Sequence, residues 1–154
     1  MKNKNILTNL FYIFFPLIIG GIVSFFISGN IEYSYLNKPP LAPPGIVFPI
    51  VWTIIYLLMG ISYYLYKKED NYDNRITITY YLQLFVNLLW SIIFFIFKAR
   101  LFSSLWIILL DLLVVYLIYL FKNNNNKISA YLNIPYLIWI LFATYLTIGI
   151  YYLN

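Results

Sequence analysis

Residues 101–121 read LFSSLWIILLDLLVVYLIYLF, and Asp111 is the one charged side chain in this stretch. A helix needs roughly 20 predominantly apolar residues to cross the hydrocarbon core of a bilayer. Strands of a membrane barrel would instead show shorter segments of alternating polarity. The stretch therefore predicts a membrane-spanning α-helix.

Four further apolar runs lie on either side of it, at about 6–27, 47–66, 76–97 and 128–153. The first run follows Lys2 and Lys4, as in a signal peptide, but it is too long and no small-residue cleavage site follows it. We therefore predict an all-α membrane protein, a five-transmembrane-helix bundle that forms a single domain over residues 1–154.

The composition supports a lipid environment and excludes several classes of function. The chain is 63% hydrophobic and 10% charged, whereas a soluble domain is about 25% charged. It contains no Cys and no His, which excludes disulfides, thiolate catalysis, Cys/His zinc sites and haem iron held by His or Cys. We expect no metal site and no cofactor.

The formal net charge of +5 is a topology signal, because the basic residues lie between the apolar runs and form no patch for nucleic acid. Cytoplasmic loops are enriched in Lys and Arg. One side carries Lys2, Lys4, Lys67, Lys68, Arg75, Lys122 and Lys127, and the other carries Lys38, Lys98 and Arg100. This predicts a cytoplasmic amino terminus, an external carboxyl terminus and an external loop 28–46.

The abundance of Asn, Ile, Lys, Tyr and Phe is typical of an AT-rich genome and favours a bacterial cell membrane as the location.

The loop between the first two runs contains four of the seven prolines, within residues 38–45 (KPPLAPPG). Proline fixes φ and restricts the preceding residue, so the loop is stiff without any hydrogen-bond ladder. It is either a rigid connector or a preformed lid over a cavity among the helix ends.

Two helix faces are candidates for the interior of the bundle. Trp52, Tyr56, Met59 and Tyr63 recur at helical spacing, which indicates helix packing more often than a ligand site. Gln83, Asn87 and Ser91, with Trp90 beside them, form a polar face on the third helix. Such a face must point inward, to bond to other helices or to line a polar cavity.

The last two spans add an acid and a proline. Asp111 is costly in hydrocarbon, so we expect it to bond to Gln83, Asn87 or a tyrosine hydroxyl, or to be protonated, in an interhelical or cavity-wall position. Pro135 lacks the N–H that would bond to the carbonyl of Tyr131, so a kink is expected there. Trp139 and Ala143 share one face beyond it.

Inner faces rich in Trp, Tyr and amides suit a large, flat, mostly apolar ligand. The motifs themselves are more specific. They are KPPLAPPG (38–45) running into Phe48-Pro49 and Val51-Trp52-Thr53, YLLMG (56–60), NLLWS (87–91), PYL (135–137) with Trp139, and FATYL (142–146). In this order the chain resembles the TspO/MBR family of tryptophan-rich sensory proteins, relatives of the mitochondrial translocator protein.

The resemblance implies a five-helix bundle, a homodimer, and a porphyrin pocket under the loop between spans one and two. It also implies light- and oxygen-dependent porphyrin degradation, with Trp52 and Trp139 as catalytic residues that face each other across the pocket. Its ligand-binding residues would be Tyr33, Trp52, Tyr56, Gln83, Asn87, Trp90, Asp111, Trp139, Phe142 and Ala143.

The chain departs from the family pattern near its end. Position 147 is Thr where the family often has Asn, and no Lys or Arg follows Lys127, so the proposed sterol motif is absent. We therefore expect a tetrapyrrole-binding sensor or stress regulator in contact with membrane lipids, not a cholesterol transporter. The alternatives are a carrier for porphyrins or other lipophiles, against which the absence of an inverted repeat argues, and a non-catalytic ligand-gated scaffold or receptor.

Overall fold

The computed structural model describes residues 6–69 and 71–154, and all regular structure in that part of the chain is helical. Lys2 and Lys4, on which the predicted orientation partly rests, lie outside the described residues. The helices are α1 (Ile6–Ile27), α2 (Val47–Lys68), α3 (Asn74–Phe95), α4 (Arg100–Asn123), α5 (Lys127–Leu132) and α6 (Ile134–Leu153).

Five spans in the described residues are long and apolar enough to cross a membrane, the fifth being formed by α5 and α6 together. This confirms the predicted all-α membrane fold. Their outer faces carry large exposed apolar side chains, such as Phe25 on α1 (77% exposed) and Leu112 on α4 (64%), which a bilayer would cover.

Helix α3 begins and ends two residues earlier than predicted. At its start, the Asp73 side chain accepts a hydrogen bond from the backbone N–H of Arg75 at 2.9 Å, which caps the first turn. Beyond its end, Lys98 takes a positive φ of 53°, so the chain turns sharply into α4.

The fifth span is broken and not simply kinked. Asn133 lies between α5 and α6, and Pro135 occupies the first turn of α6, where its missing N–H costs nothing. The Asn133 side-chain amide donates to the Ser62 hydroxyl at 2.6 Å and to the Ser129 carbonyl at 2.8 Å. The break is thus filled by hydrogen bonds to α2 and α5, as a break at membrane depth must be.

The helices close into a ring. Helix α1 packs on α2, α2 packs on α5 and α6, α6 packs on α4, α4 packs on α3, and α3 returns to α1. The α1–α2 contact is very close at Gly60, where an added Cβ would overlap the carbonyl oxygen of Ile13. Nearer the carboxyl end of α1, Gly20 lies against the ring of Tyr56. Gly20, Ser24 and Ser28 recur at intervals of four residues, a spacing that permits close helix contact, but Gly20 alone of the three is buried.

Candidate functional site

A cavity of about 460 Å³ lies inside the ring, at the end covered by the proline-rich loop. This volume is within the range of about 300–1,000 Å³ that is typical of small-molecule sites. Its walls come from α1, α2, α3, α6 and the loop; they are Gly20, Val23, Ser24, Ile27, Ile31, Tyr33, Gly45, Ile46, Phe48, Pro49, Trp52, Tyr56, Trp90, Ser91, Phe94, Phe95, Ala143, Leu146, Thr147 and Ile150.

Five of the predicted site residues line this cavity: Tyr33, Trp52, Tyr56, Trp90 and Ala143. The side chains of Trp52 and Tyr56 stack on α2, with ring centroids 5.4 Å apart and planes 28° apart. The α3 wall holds a second stacked pair, Trp90 and Phe94, at 5.5 Å and 27°. Both helix walls therefore carry stacked aromatic surface, and no lining residue is charged.

Trp139 does not face Trp52 across the cavity, contrary to the expectation. The two indoles are in edge-to-face contact, with centroids 6.5 Å apart and planes 86° apart, so no flat guest fits between them. Trp139 also contacts Phe48 at 5.8 Å and Phe142 at 5.7 Å. Trp139 and Phe142 lie behind the wall, because the face of α6 that lines the cavity is the one with Ala143 and Thr147.

Gln83 and Asn87 lie below the cavity and do not line it. Tyr56 donates its hydroxyl to Asn87 Oδ1 at 3.0 Å, and the Asn87 amide donates to the hydroxyl of Tyr136 at 2.8 Å. Tyr136 in turn donates to Gln83 Oε1 at 2.8 Å. These buried groups tie α2, α3 and α6 together. The predicted polar face therefore divides: Gln83 and Asn87 bond to other helices, whereas Trp90 and Ser91 line the cavity.

Asp111 is also outside the cavity wall, and its partner is none of those expected. Its Oδ2 accepts a hydrogen bond from the Thr144 hydroxyl at 2.8 Å. Its Oδ1 is buried and has no hydrogen-bond partner among the described residues. The helices that bound the cavity are α1, α2, α3 and α6. Asp111 is on α4, so its hydrogen bond to Thr144 joins α4 to the side of α6 that faces away from the cavity.

The proline-rich loop is a lid, because Ile31, Tyr33, Gly45 and Ile46 line the cavity beneath it. The Tyr33 hydroxyl donates to the carbonyl of Pro43 at 2.9 Å, which ties the two arms of the loop together. Partial burial raises the pKa of Tyr33, so this hydroxyl remains a donor at neutral pH.

Hydrogen bonds and packing fasten the lid to α6. Asn37 and Asn154 exchange two bonds, from the Asn37 backbone N–H to Asn154 Oδ1 at 3.0 Å and from Asn154 Nδ2 to the Asn37 carbonyl at 2.9 Å. The Tyr145 hydroxyl donates to the carbonyl of Pro40 at 2.7 Å. Pro39 packs so closely on Gly149 that a Cβ there would come within 2.6 Å of its ring.

An exposed ion pair holds the other side of the lid. Lys98 Nζ lies 2.8 Å from Glu32 Oε1, and the hydrogen bond from Lys98 lowers the pKa of Glu32. Since the folded pKa is lowered, the pair contributes at neutral pH and is lost only as the pH falls through that lowered value. The hydrogen bonds between Asn37 and Asn154 involve only amide groups and hold the lid at any moderate pH.

Several wall residues gave no signal in the sequence. Phe94, Phe95 and Ile150 are apolar residues in apolar runs, and nothing in their spacing separates a cavity wall from a lipid-facing surface. Phe48 and Leu146 lie within the motifs quoted above but were not assigned to the site. The hydrogen bonds of Tyr136 to α3 were also not predicted, because the sequence does not show which helices are neighbours.

Comparison with known proteins gives consistent matches over nearly the whole chain. The TspO/MBR family model matches residues 12–153. The tryptophan-rich protein TspO of Archaeoglobus fulgidus is 36% identical over 97% of this chain and 99% of its own length. The protein of the same name from Chlorobaculum tepidum is 35% identical over 99% of both chains. A tryptophan-rich sensory protein of Cereibacter sphaeroides is 31% identical over 73% of this chain and 70% of its own length.

Proposed function

The chain belongs to the TspO/MBR family, and on that premise we propose that it is a membrane sensor or regulator whose ligand is a flat tetrapyrrole of the protoporphyrin IX type. It is an integral, multi-pass membrane protein. One relative is named for a sensory role, which supports the regulatory part of the proposal.

The observation that carries the proposal is the wall of the cavity. Stacked pairs on α2 and α3 present aromatic surface to a partly open cavity of about 460 Å³ with no charged lining residue. Aromatic rings prefer offset stacking and edge contacts, and a planar macrocycle offers the largest surface for both. Trp52 and Trp90 are the residues best placed to make them.

The lid supplies a cation for the polar edge of such a ligand. Lys38 Nζ lies 5.0 Å from the centroid of the Tyr33 ring, which lines the cavity. It donates to the carbonyls of Tyr33 and Leu36, each at 3.0 Å, and pairs with no carboxylate among the described residues. A propionate side chain of a porphyrin at the mouth would find its positive charge there.

The residue types available near the cavity favour a porphyrin that is held without a side chain bound to a central metal ion. The sequence contains neither His nor Cys, the usual protein ligands of haem iron along with Met and Tyr. The two cavity-lining tyrosines are already engaged, Tyr33 with Pro43 and Tyr56 with Asn87. Stacking and hydrogen bonds are what these residues offer.

Replacing Trp52 by Ala is expected to weaken protoporphyrin binding about tenfold or more, because it removes the stacked ring of the α2 wall. Trp139→Ala is expected to cost less, since Trp139 only supports Trp52 from behind. Titration of the detergent-solubilised protein, followed by quenching of tryptophan fluorescence, measures both constants.

The matched control is Trp106→Phe. Trp106 lies outside the cavity and donates its indole N–H to the carbonyl of Val86, so this variant is expected to bind like the unmodified protein. Equal affinity of the Trp52 and Trp106 variants would refute the proposed wall.

We further propose that bound porphyrin is degraded under light, with dioxygen as the oxidant and both of its oxygen atoms entering the opened macrocycle. Trp52, the tryptophan nearest the ligand, donates an electron to the photoexcited ring and recovers it when the product forms, so that the tryptophan is not consumed. The contact between Trp52 and Trp139 supports a second donor behind the first. Illumination of the complex in air is expected to produce a new bilin-like absorption band, slowed by Trp139→Phe and lost in Trp52→Phe. An identical band in the double variant would remove the tryptophans from the reaction.

The orientation and the homodimer remain proposals. Lys67, Lys68 and Lys122 lie at one end of the bundle, where α2 and α4 end, and Lys98 and Arg100 lie at the other. This distribution supports a cytoplasmic amino terminus and a lid on the outer side. The dimer rests on the family resemblance.

A further inference from the structure

A second concave site lies at the opposite end of the bundle from the lid, where α2 ends and α5 begins. It is a cleft of about 410 Å³. We call it the basic cleft; it is lined by Leu65, Lys68, Glu69, Asn125, Asn126, Lys127, Ile128 and Ser129. None of these residues takes part in the proposed tetrapyrrole site.

Two lysines flank the basic cleft from different helices. Lys68 is in the last turn of α2 and Lys127 is the first residue of α5, and both are exposed. The ion pairs within residues 6–69 and 71–154 are Asp73–Arg75 and Glu32–Lys98, so neither lysine is neutralised by an acid there. Against these two charges, Glu69 is the one acid of the lining among the residues that the structure describes.

The polar groups on the floor of the cleft are hydrogen-bonded within the protein. Ser129 is buried and donates its hydroxyl to the carbonyl of Ser62 at 2.8 Å. Asn126 is buried and donates its side-chain amide to the carbonyl of Asn124 at 3.0 Å. The charge that a ligand would meet is therefore that of the two lysines at the rim, partly offset by Glu69.

An apolar surface continues from the cleft along α5. Ile128 and Tyr131 stand one turn apart on the same face, 66% and 62% exposed, and Leu65 of α2 is half-buried beside the lysines. Because α2 and α5 are parts of membrane spans, this face runs from the membrane surface into the hydrocarbon. An occupant with an anionic head and an apolar tail fits both parts.

We propose that the basic cleft binds an anionic phospholipid, with its phosphodiester between Lys68 and Lys127 and an acyl chain along Ile128 and Tyr131. Basic pockets between membrane helices bind anionic lipid headgroups in this way. The site is independent of the tetrapyrrole proposal, since the cavity and the cleft share no residue.

The test is retention of phosphatidylglycerol by the full-length protein in detergent, counted by native mass spectrometry against phosphatidylcholine. The unmodified chain is expected to retain phosphatidylglycerol preferentially. Lys68→Gln and Lys127→Gln should each weaken binding on the order of fivefold, and the double variant should lose the preference. Glu69→Gln should strengthen binding, because it removes the opposing charge.

The matched control is Lys122→Gln. Lys122 lies at the same end of the bundle, in the last turn of α4, but does not line the cleft. Equal loss in this variant and in the Lys68/Lys127 double variant would overturn the site in favour of general surface charge.

Two further measurements distinguish binding of a whole anionic lipid from binding of phosphate alone and from binding of any phospholipid. Glycerol 3-phosphate in excess is expected to leave the lipid bound, because it lacks the acyl chain; full displacement would mean that the cleft recognises phosphate alone. Equal retention of phosphatidylcholine would show that the cleft does not select for negative charge and would overturn the proposal. Thermal unfolding of each variant shows whether it is folded.

Discussion

Gly60→Val is expected to destabilise the bundle more than any other single substitution considered for this chain. An added Cβ at position 60 would overlap the carbonyl oxygen of Ile13 and lie 2.6 Å from its carbonyl carbon. Both atoms belong to the backbone of α1, so no side-chain rotation relieves the clash. Helices α1 and α2 would have to separate along the contact that closes the ring.

The cost follows from overpacking, which amounts to about 1–3 kcal/mol or more when backbone must shift. For a chain of this length that corresponds to a fall in the melting temperature of roughly 2–12 °C. Thermal unfolding in detergent, followed by size-exclusion chromatography of the surviving monodisperse protein, measures it. Gly60→Ala should give a smaller fall in the same direction.

Gly21→Ala is the matched control on α1. A Cβ at position 21 has no atom within 4 Å, and alanine favours the helix by about 1 kcal/mol over glycine. The control is therefore expected to be as stable as the unmodified chain or slightly more so. If Gly60→Ala behaved like Gly21→Ala, the close approach of α1 and α2 would be wrong.

Ala143→Trp is expected to abolish tetrapyrrole binding while the protein remains folded. Ala143 is buried, at 4% exposure, and its small side chain faces the cavity. An indole at this position would project into the space that the macrocycle occupies. We expect the dissociation constant to rise at least a hundredfold, about 2.7 kcal/mol, in the fluorescence titration described above.

Val115→Trp adds an indole to the exposed face of α4, where Val115 is 50% exposed, and is expected to bind normally. Ala143→Leu fills less of the cavity and should weaken binding by an intermediate factor. Undiminished affinity in a folded Ala143→Trp protein would place the ligand elsewhere.

Much of the fold could be predicted because lipid imposes simple rules on sequence. Each span must supply about twenty apolar residues, so the five runs and their order were visible, as was a disturbance at Pro135. The break itself was not, because it depends on Asn133 finding Ser62 on another helix. Periodicity within one helix does not show which residue of a neighbour lies opposite.

The same limit explains which site residues were misplaced. Trp52 and Tyr56 lie in the N-terminal half of α2, next to a loop whose prolines were conspicuous in the sequence. Both residues line the cavity, as predicted. Gln83, Asn87 and Asp111 were recognised as inward-facing polar groups. Whether such a group meets a cavity or another side chain depends on the order of helices around the ring, which the sequence leaves open. Their partners are Tyr56 and Tyr136 for Asn87, Tyr136 for Gln83, and Thr144 for Asp111.

The central claim is that a flat tetrapyrrole binds inside the ring of helices, and induced circular dichroism in the Soret region tests it most directly. Porphyrin dissolved in lipid is achiral, whereas porphyrin held against Trp52 and Trp90 is in a chiral site. Titrating protoporphyrin IX into lipid nanodiscs that contain the protein should give a signal that saturates at one equivalent per chain and is absent in Ala143→Trp. A signal that rises without saturation, or that is no larger than in empty nanodiscs, would contradict the account.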